Sequence, residues 1–277
     1  MRISGLDLVF GAVLGIAAAA FSVYAFDQVA GHLIDHAAFD VWFDADVPRA
    51  FDNMTSRRGG SHYRTSVHPV ASILLAPVGR GISVVTGLSA AGSIQVLLAA
   101  IAGLSLVSFF AFLRLLGLSR IGAAVFALLY LSSAAFVFWS GIPELYLPAS
   151  LTINMALVLL AWGRRAGPGP WTVGSALSLS ITTTNWMFGV IASFFALDRK
   201  RFLRINAIAL AGVMALSLLQ FMTFDGARLF FAPSSVTGEV RWTQIGMEDR
   251  GDAVWTPGYN LQAMLVSTVV APPPFAQ

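Results

Sequence analysis

The chain has 277 residues, of which 57% are apolar and only 11% charged, where a soluble domain carries roughly 25% charged residues. That composition excludes an ordinary water-soluble globule, and the absence of cysteine excludes disulfides, thiolate metal sites and a cysteine nucleophile. The net charge of +3 rests on seventeen bases, nearly all arginine, and is too small and too scattered to indicate nucleic acid as a partner.

Six stretches are long and free of charge: Leu8 to Phe26, Ala90 to Leu113, Ile121 to Trp139, Leu145 to Gly163, Trp171 to Leu197 and Ile205 to Phe224. Each reaches the roughly 18 to 20 residues that cross a bilayer as a helix. The expected fold class is therefore all-α, a polytopic transmembrane helical bundle forming a single domain over residues 1–277, with the lipid bilayer as its first partner. Asp7 and the lack of a small-x-small site before Phe26 favour an anchor over a cleaved signal peptide at the N-terminus.

Arginine placement gives the orientation. With the N-terminus in the cytoplasm, nine bases face two acids on the inside, and eight bases face twelve acids on the outside. This is the pattern of a bacterial inner-membrane protein. For Arg114 to lie inside, the segment 67–85, which carries His68, two prolines and Arg80, cannot cross; it is expected to lie along the outer interface as an amphipathic helix. Trp171 to Leu197 has basic loops on both sides, and its 27 residues reach only about 40 Å as helix, too short for two spans of ~30 Å. It reads as a short helical hairpin with a polar tip at Thr182-Thr183-Thr184-Asn185.

The first outer loop, 27–66, carries six of the fourteen acids, all aspartate, and three of the four histidines, with His68 just beyond it. Its densest polar run is Asp44-Ala45-Asp46-Val47-Pro48-Arg49. Asp46 can cap a helix that Pro48 opens; a carboxylate here can equally act as general base toward a hydroxyl, and Asp44 with Asp46 can ligate a divalent metal. Arg57, Arg58 and Arg64, with His62, Tyr63 and His68 interleaved, can hold a phosphate bidentately or simply balance the aspartates in a solvated loop. Asn53-Met54-Thr55 matches a glycosylation sequon.

The second outer loop is short, and Glu144 is its only charge, either as an acid favoured by the dipole of the next span or as a functional group at the mouth of two spans. Asp46, Glu144 and Asn185 fall on one membrane side in this topology. The last outer stretch, 225–260, is polar, with Trp242, Trp255 and Tyr259 as interfacial anchors or sugar-stacking rings. Only eleven apolar residues then precede Pro272, too few to span, so the chain reads as the N-terminal portion of a longer architecture.

One span, a long outer loop with Asp44-Ala45-Asp46 and Arg49, a surface helix entered through His68-Pro69, a short loop with Pro143-Glu144-Leu145-Tyr146, and a hairpin at Leu179 to Gly189 follow in this order. In that order the chain resembles the GT-C superfamily of polytopic glycosyltransferases, such as aminoarabinose transferases and protein O-mannosyltransferases, over about residues 1–224. The resemblance implies transfer of a sugar, with inversion, from a polyprenyl-phosphate-linked donor to a lipid, glycan or protein acceptor on the outer face. It also implies Asp46 or Asp44 and Glu144 as catalytic acids, and Arg57, Arg58, Arg64 and His68 as donor-phosphate contacts. It further implies Tyr63, Asn185 and Tyr146 as substrate contacts and leaves a divalent metal at Asp44 and Asp46 open. Asn185 stands where many members carry lysine. A transporter subunit or a non-catalytic membrane scaffold is the alternative.

Overall fold

The computed structural model describes residues 3–35 and 46–230. Asp44 and the stretch beyond residue 230, including Trp242, Trp255 and Tyr259, lie outside the described residues. Among those described the chain is all-helical and contains no strand. Ten α-helices follow in order: α1 Gly5–Asp35, α2 Val47–Thr55, α3 Ala71–Thr86, α4 Ala90–Leu115, α5 Arg120–Leu131, α6 Ala134–Ser140, α7 Tyr146–Trp162, α8 Pro168–Ile181, α9 Trp186–Ala196 and α10 Arg199–Thr223.

Three helices, α1, α4 and α10, are long and apolar enough to cross a membrane. Ile121 to Trp139, expected as one span, is α5 and α6, which together are long and apolar enough to cross but are bent by 63°. The break falls at Ser132-Ser133, where the Ser133 hydroxyl accepts the Phe136 N–H at 3.3 Å and starts a new helix in place of continuing the old one. α7 has 17 residues, about 25 Å of helix, and is shorter than a straight crossing requires.

α1 and α4 form the central antiparallel pair. Asp7 meets Arg114 at one end, Gly15 meets Gly103 in the middle, and Asp27 Oδ1 accepts from Gln95 Nε2 at 2.6 Å toward the other. The two glycines bring the backbones together: a Cβ on Gly103 would stand 2.8 Å from the Gly15 carbonyl oxygen, so the helices approach where only small residues fit. α7 runs alongside α4 in the same direction; Asn154 Nδ2 donates to Ser105 Oγ at 2.9 Å, and further along Ser108 and Val158 line one groove.

The expected hairpin is present. Trp171 at the start of α8 packs with Ala192 near the end of α9, and with Leu159 and Ile205, so α8 and α9 run antiparallel. Asn206 ties both to α10: its Oδ1 accepts from Ser175 Oγ at 2.8 Å, and its Nδ2 donates to Ser193 Oγ at 3.0 Å. The segment expected as an interfacial helix is α3, which buries Ala71, Ser72, Leu75, Ala76 and Gly79 and leaves Val78, Val84 and Val85 exposed. Gly87 closes it at φ 73°, the left-handed conformation glycine adopts freely.

Three turns flanked by basic residues gather at one end of the bundle. There the buried Asp7 carboxylate accepts from Arg114 Nε at 2.8 Å and Arg120 Nε at 2.9 Å, and the turns Gly163–Ala166 and 197–199 lie at that same end. The opposite end gathers the start of α2, the start of α7 and the hairpin tip.

Candidate functional site

Four chain segments converge at that second end around a cavity of about 230 Å³. Asp46, Arg49 and Arg64 come from α2 and the loop behind it. Val67 and His68 come from the strap before α3, Glu144, Leu145, Tyr146 and Ala149 from the start of α7, and Thr182, Thr184 and Asn185 from the hairpin tip. The three apices placed on one side by the positions of the arginines therefore line a single cavity.

Local chemistry explains each placement. Pro48 opens α2, its missing N–H costing nothing in a first helical turn. Asp46 sits at the N-cap position, yet its side chain caps nothing. Its Oδ2 instead accepts from Arg49 Nη2 at 2.7 Å and Arg64 Nη1 at 2.9 Å. The capping expectation is corrected by this: two guanidinium donors are stronger partners for a carboxylate than backbone N–H groups at a helix start. Burial alone would raise the Asp46 pKa, but the hydrogen bond and charge of Arg49, followed by those of Arg64, outweigh it and hold the carboxyl below its usual range.

Glu144 is buried and makes two backbone contacts. Its Oε1 accepts from the Asp46 N–H at 3.0 Å and its Oε2 from the Leu145 N–H at 2.7 Å, so it fastens the start of α2 to the start of α7. Burial raises its pKa, and the Leu145 hydrogen bond offsets part of the rise. The loop that carries it is held against α1, where Ser22 Oγ donates to the Ser140 carbonyl at 2.7 Å.

Asn185 Nδ2 donates to the Ala149 carbonyl at 2.8 Å and to Thr152 Oγ1 at 3.2 Å, which docks the hairpin tip on α7. Tyr146 is exposed at the cavity and stacks on Trp139 with ring centroids 4.0 Å apart. His68 Nδ1 lies 2.9 Å from the Ile181 carbonyl and 3.2 Å from Thr182 Oγ1. Burial lowers its pKa to about 4; the Ile181 contact opposes this, and the charges of Arg49 and Arg64 reinforce it.

Other expected contacts lie elsewhere. Arg57 Nε donates to the Thr223 carbonyl at 2.6 Å, bracing the end of α10, and neither it nor the exposed Arg58 and Tyr63 lines the cavity. Asn53 is buried within α2, which leaves no room for a glycan on the sequon. His62 is buried against Ser72 and Phe224, away from the cavity lining. Among the described residues no three His, Asp or Glu side chains converge as a metal site.

Arg49 is the residue whose place in the site sequence reasoning undervalued. Its side chain is only 10% exposed, and Nε and Nη1 are buried without a partner among the described residues. The signal was present in its spacing, three residues after Asp46 on the first helical turn, which puts the two side chains on one face. No family model, curated protein or solved structure significantly matches the chain.

Proposed function

We propose that the chain is a membrane glycosyltransferase that moves a sugar from a polyprenyl-phosphate-linked donor to an acceptor hydroxyl, with inversion, at the end of the bundle that carries Asp46. The observation that carries this reading is Arg49. Arg49 lines the cavity; a guanidinium with two buried nitrogens that lack a partner among the described residues is costly unless an anion completes it, and a planar fork suits the oxygens of a phosphate. Arg64, which contacts the same Asp46 oxygen, supplies a second cation.

In this chemistry the arginine pair takes up the charge of the departing polyprenyl phosphate, where fixed donors in a water-poor site act most strongly. Asp46, once phosphate shares its arginines, is the anion beside the carbon at which positive charge develops. Glu144 is a positioning residue that sets Asp46 through its backbone N–H, and Asn185 fixes the tip that closes the cavity. The stacked Tyr146 and Trp139 rings offer an apolar surface to a sugar ring.

Ion-coupled transport calls instead for ionisable groups near the middle of spans. Among the described residues the buried ionisable side chains Asp7, Arg114, Glu144 and His62 sit at helix ends or in loops. The deciding experiment is transfer of labelled sugar from a panel of polyprenyl-phosphate-sugars by the full chain in lipid nanodiscs. Consumption of one donor, abolished by Asp46→Asn with the fold intact, is expected; a protein that consumes none, with or without divalent metal, overturns the reading.

A further inference from the structure

The inference concerns His68 and rests on the glycosyl-transfer reading above. The Ile181 carbonyl oxygen can only accept a hydrogen bond, so at 2.9 Å from His68 Nδ1 it requires the ring proton to be on Nδ1. The Thr182 hydroxyl, 3.2 Å from the same nitrogen, shares that side of the ring. Among the described residues both hydrogen bonds of the ring thus run through Nδ1, and in a neutral imidazole of this tautomer Nε2 carries a lone pair. A lone pair repels phosphate oxygens and welcomes a hydroxyl, so the expected role of His68 as a phosphate contact does not suit this tautomer.

The segment that carries His68 is strapped down on both sides. The Thr183 N–H donates to the Val67 carbonyl at 2.9 Å, and the Val70 N–H donates to the Ser180 carbonyl at 3.1 Å. From α10, the buried Gln220 donates through Nε2 to the Pro69 carbonyl at 3.2 Å and accepts the Ile73 N–H on Oε1 at 3.0 Å. Four bonds to two helical elements fix the ring beside the cavity that also holds Asp46, Arg49 and Arg64.

We propose that His68 Nε2 is the proton acceptor for the attacking hydroxyl, Asp46 being left as the anion that orders the arginine pair. In the step, the acceptor oxygen bonds to the anomeric carbon as the bond from that carbon to the phosphate oxygen breaks. The electron pair leaves with the polyprenyl phosphate, whose charge Arg49 and Arg64 hold. The hydroxyl proton passes to His68 Nε2 and later to water.

The charged groups facing the ring account for its timing. Arg49 from α2 and Arg64 from the loop that follows α2 oppose an imidazolium, while Asp46 favours it. Glu144 is the titratable group that α7 adds to the cavity wall together with Tyr146, and the hairpin contributes only Thr182, Thr184, Asn185 and the Ile181 carbonyl. A donor phosphate on the arginines offsets their charge, so Nε2 becomes a better base when donor is bound.

The test uses the full chain in nanodiscs and the donor panel. In His68→Asn the amide keeps a donor for Ile181 where Nδ1 stands and has nothing at Nε2. Turnover is expected to fall by about 10²- to 10⁴-fold with the donor KM within about threefold, the acid limb of the kcat profile is expected to vanish, and imidazole is expected to restore part of the activity of His68→Gly. Nitrogen-15 NMR of labelled histidine, with the His68 signals assigned by their loss in His68→Asn, is expected to show Nδ1 protonated and Nε2 bare at neutral pH. Turnover that survives His68→Asn within about threefold, or a protonated Nε2, overturns this inference alone. A wild-type protein that consumes no donor overturns the transfer reading and this inference with it.

Discussion

The Glu144 carboxylate accepts the backbone N–H of Asp46 at 3.0 Å across a separation of 98 residues. Its other oxygen takes the Leu145 N–H at 2.7 Å, so one buried side chain sets the distance between two walls of the cavity. In Glu144→Gln one of these N–H groups meets an amide NH₂ in place of an oxygen. Stability in detergent is expected to drop by about 1–3 kcal/mol, since a buried donor loses its acceptor. Thermal unfolding of the variant measures it, and an unchanged midpoint contradicts the role.

Arg49 holds Asp46 with one nitrogen, and its other two nitrogens are buried with no partner among the described residues. Arg49→Gln is expected to weaken binding of polyprenyl phosphate by about tenfold or more, and Arg49→Lys is expected not to restore it, because an ammonium lacks the fork. Arg80→Gln, on the exposed part of α3 outside the cavity, is the control and is expected to leave affinity unchanged. Titration followed by tryptophan fluorescence reads all three.

His68 is held neutral in the fold, its pKa lowered from 6.5 to about 4. The unfolded chain therefore binds a proton that the folded chain refuses between those two values. Stability is fully present above pH 6.5 and is lost as the pH falls toward 4, by about 3 kcal/mol in all. Chemical denaturation across this window is expected to show the slope in the wild type and a shallower one in His68→Asn, where His62, whose pKa burial also lowers, keeps the remainder. A wild-type profile that is flat over the window is the contrary result.

Gly103 meets the Gly15 backbone at the α1–α4 crossing, where an added Cβ would stand 2.8 Å from a carbonyl oxygen. Gly103→Val is expected to push the helices apart and to destabilise the bundle by about 2 kcal/mol. Gly11→Ala, whose new methyl would sit 3.6 Å from Phe110 in ordinary contact, is expected to be neutral or mildly stabilising. The pair of midpoints in a detergent unfolding series distinguishes a local close approach from a general intolerance of larger residues on these helices.

Much of the architecture was legible in the chain because it rests on quantities that add along the sequence. Charge-free length sets which stretches suit lipid, and the arginine positions sort loops into two groups. Those two rules suffice to place Asp46, Glu144 and Asn185 at one end, and to make Trp171 to Leu197 a hairpin too short for two spans. The Asp7–Arg114–Arg120 cluster and the shared cavity agree with both.

What the sequence could not supply is which atom meets which. An aspartate before Pro48 has a local partner, the helix start, and prefers distant ones once Arg64 is brought to it. Arg57 and Arg58 differ little from Arg64 as residues in a polar loop, yet Arg57 is claimed by the end of α10. Ile121 to Trp139 looks continuous by hydropathy, because two serines barely lower a mean, yet they start a new helix. Composition and the spacing of charges therefore determined the all-helical class, the long apolar helices that fit a membrane protein and which loops share an end of the bundle, all sums over neighbouring residues. The protonated face of His68, the spare edge of Arg49 and the pairing of Asp46 were decided only by tertiary structure, because each hydrogen bond is a choice among partners that folding alone brings within 3 Å or so.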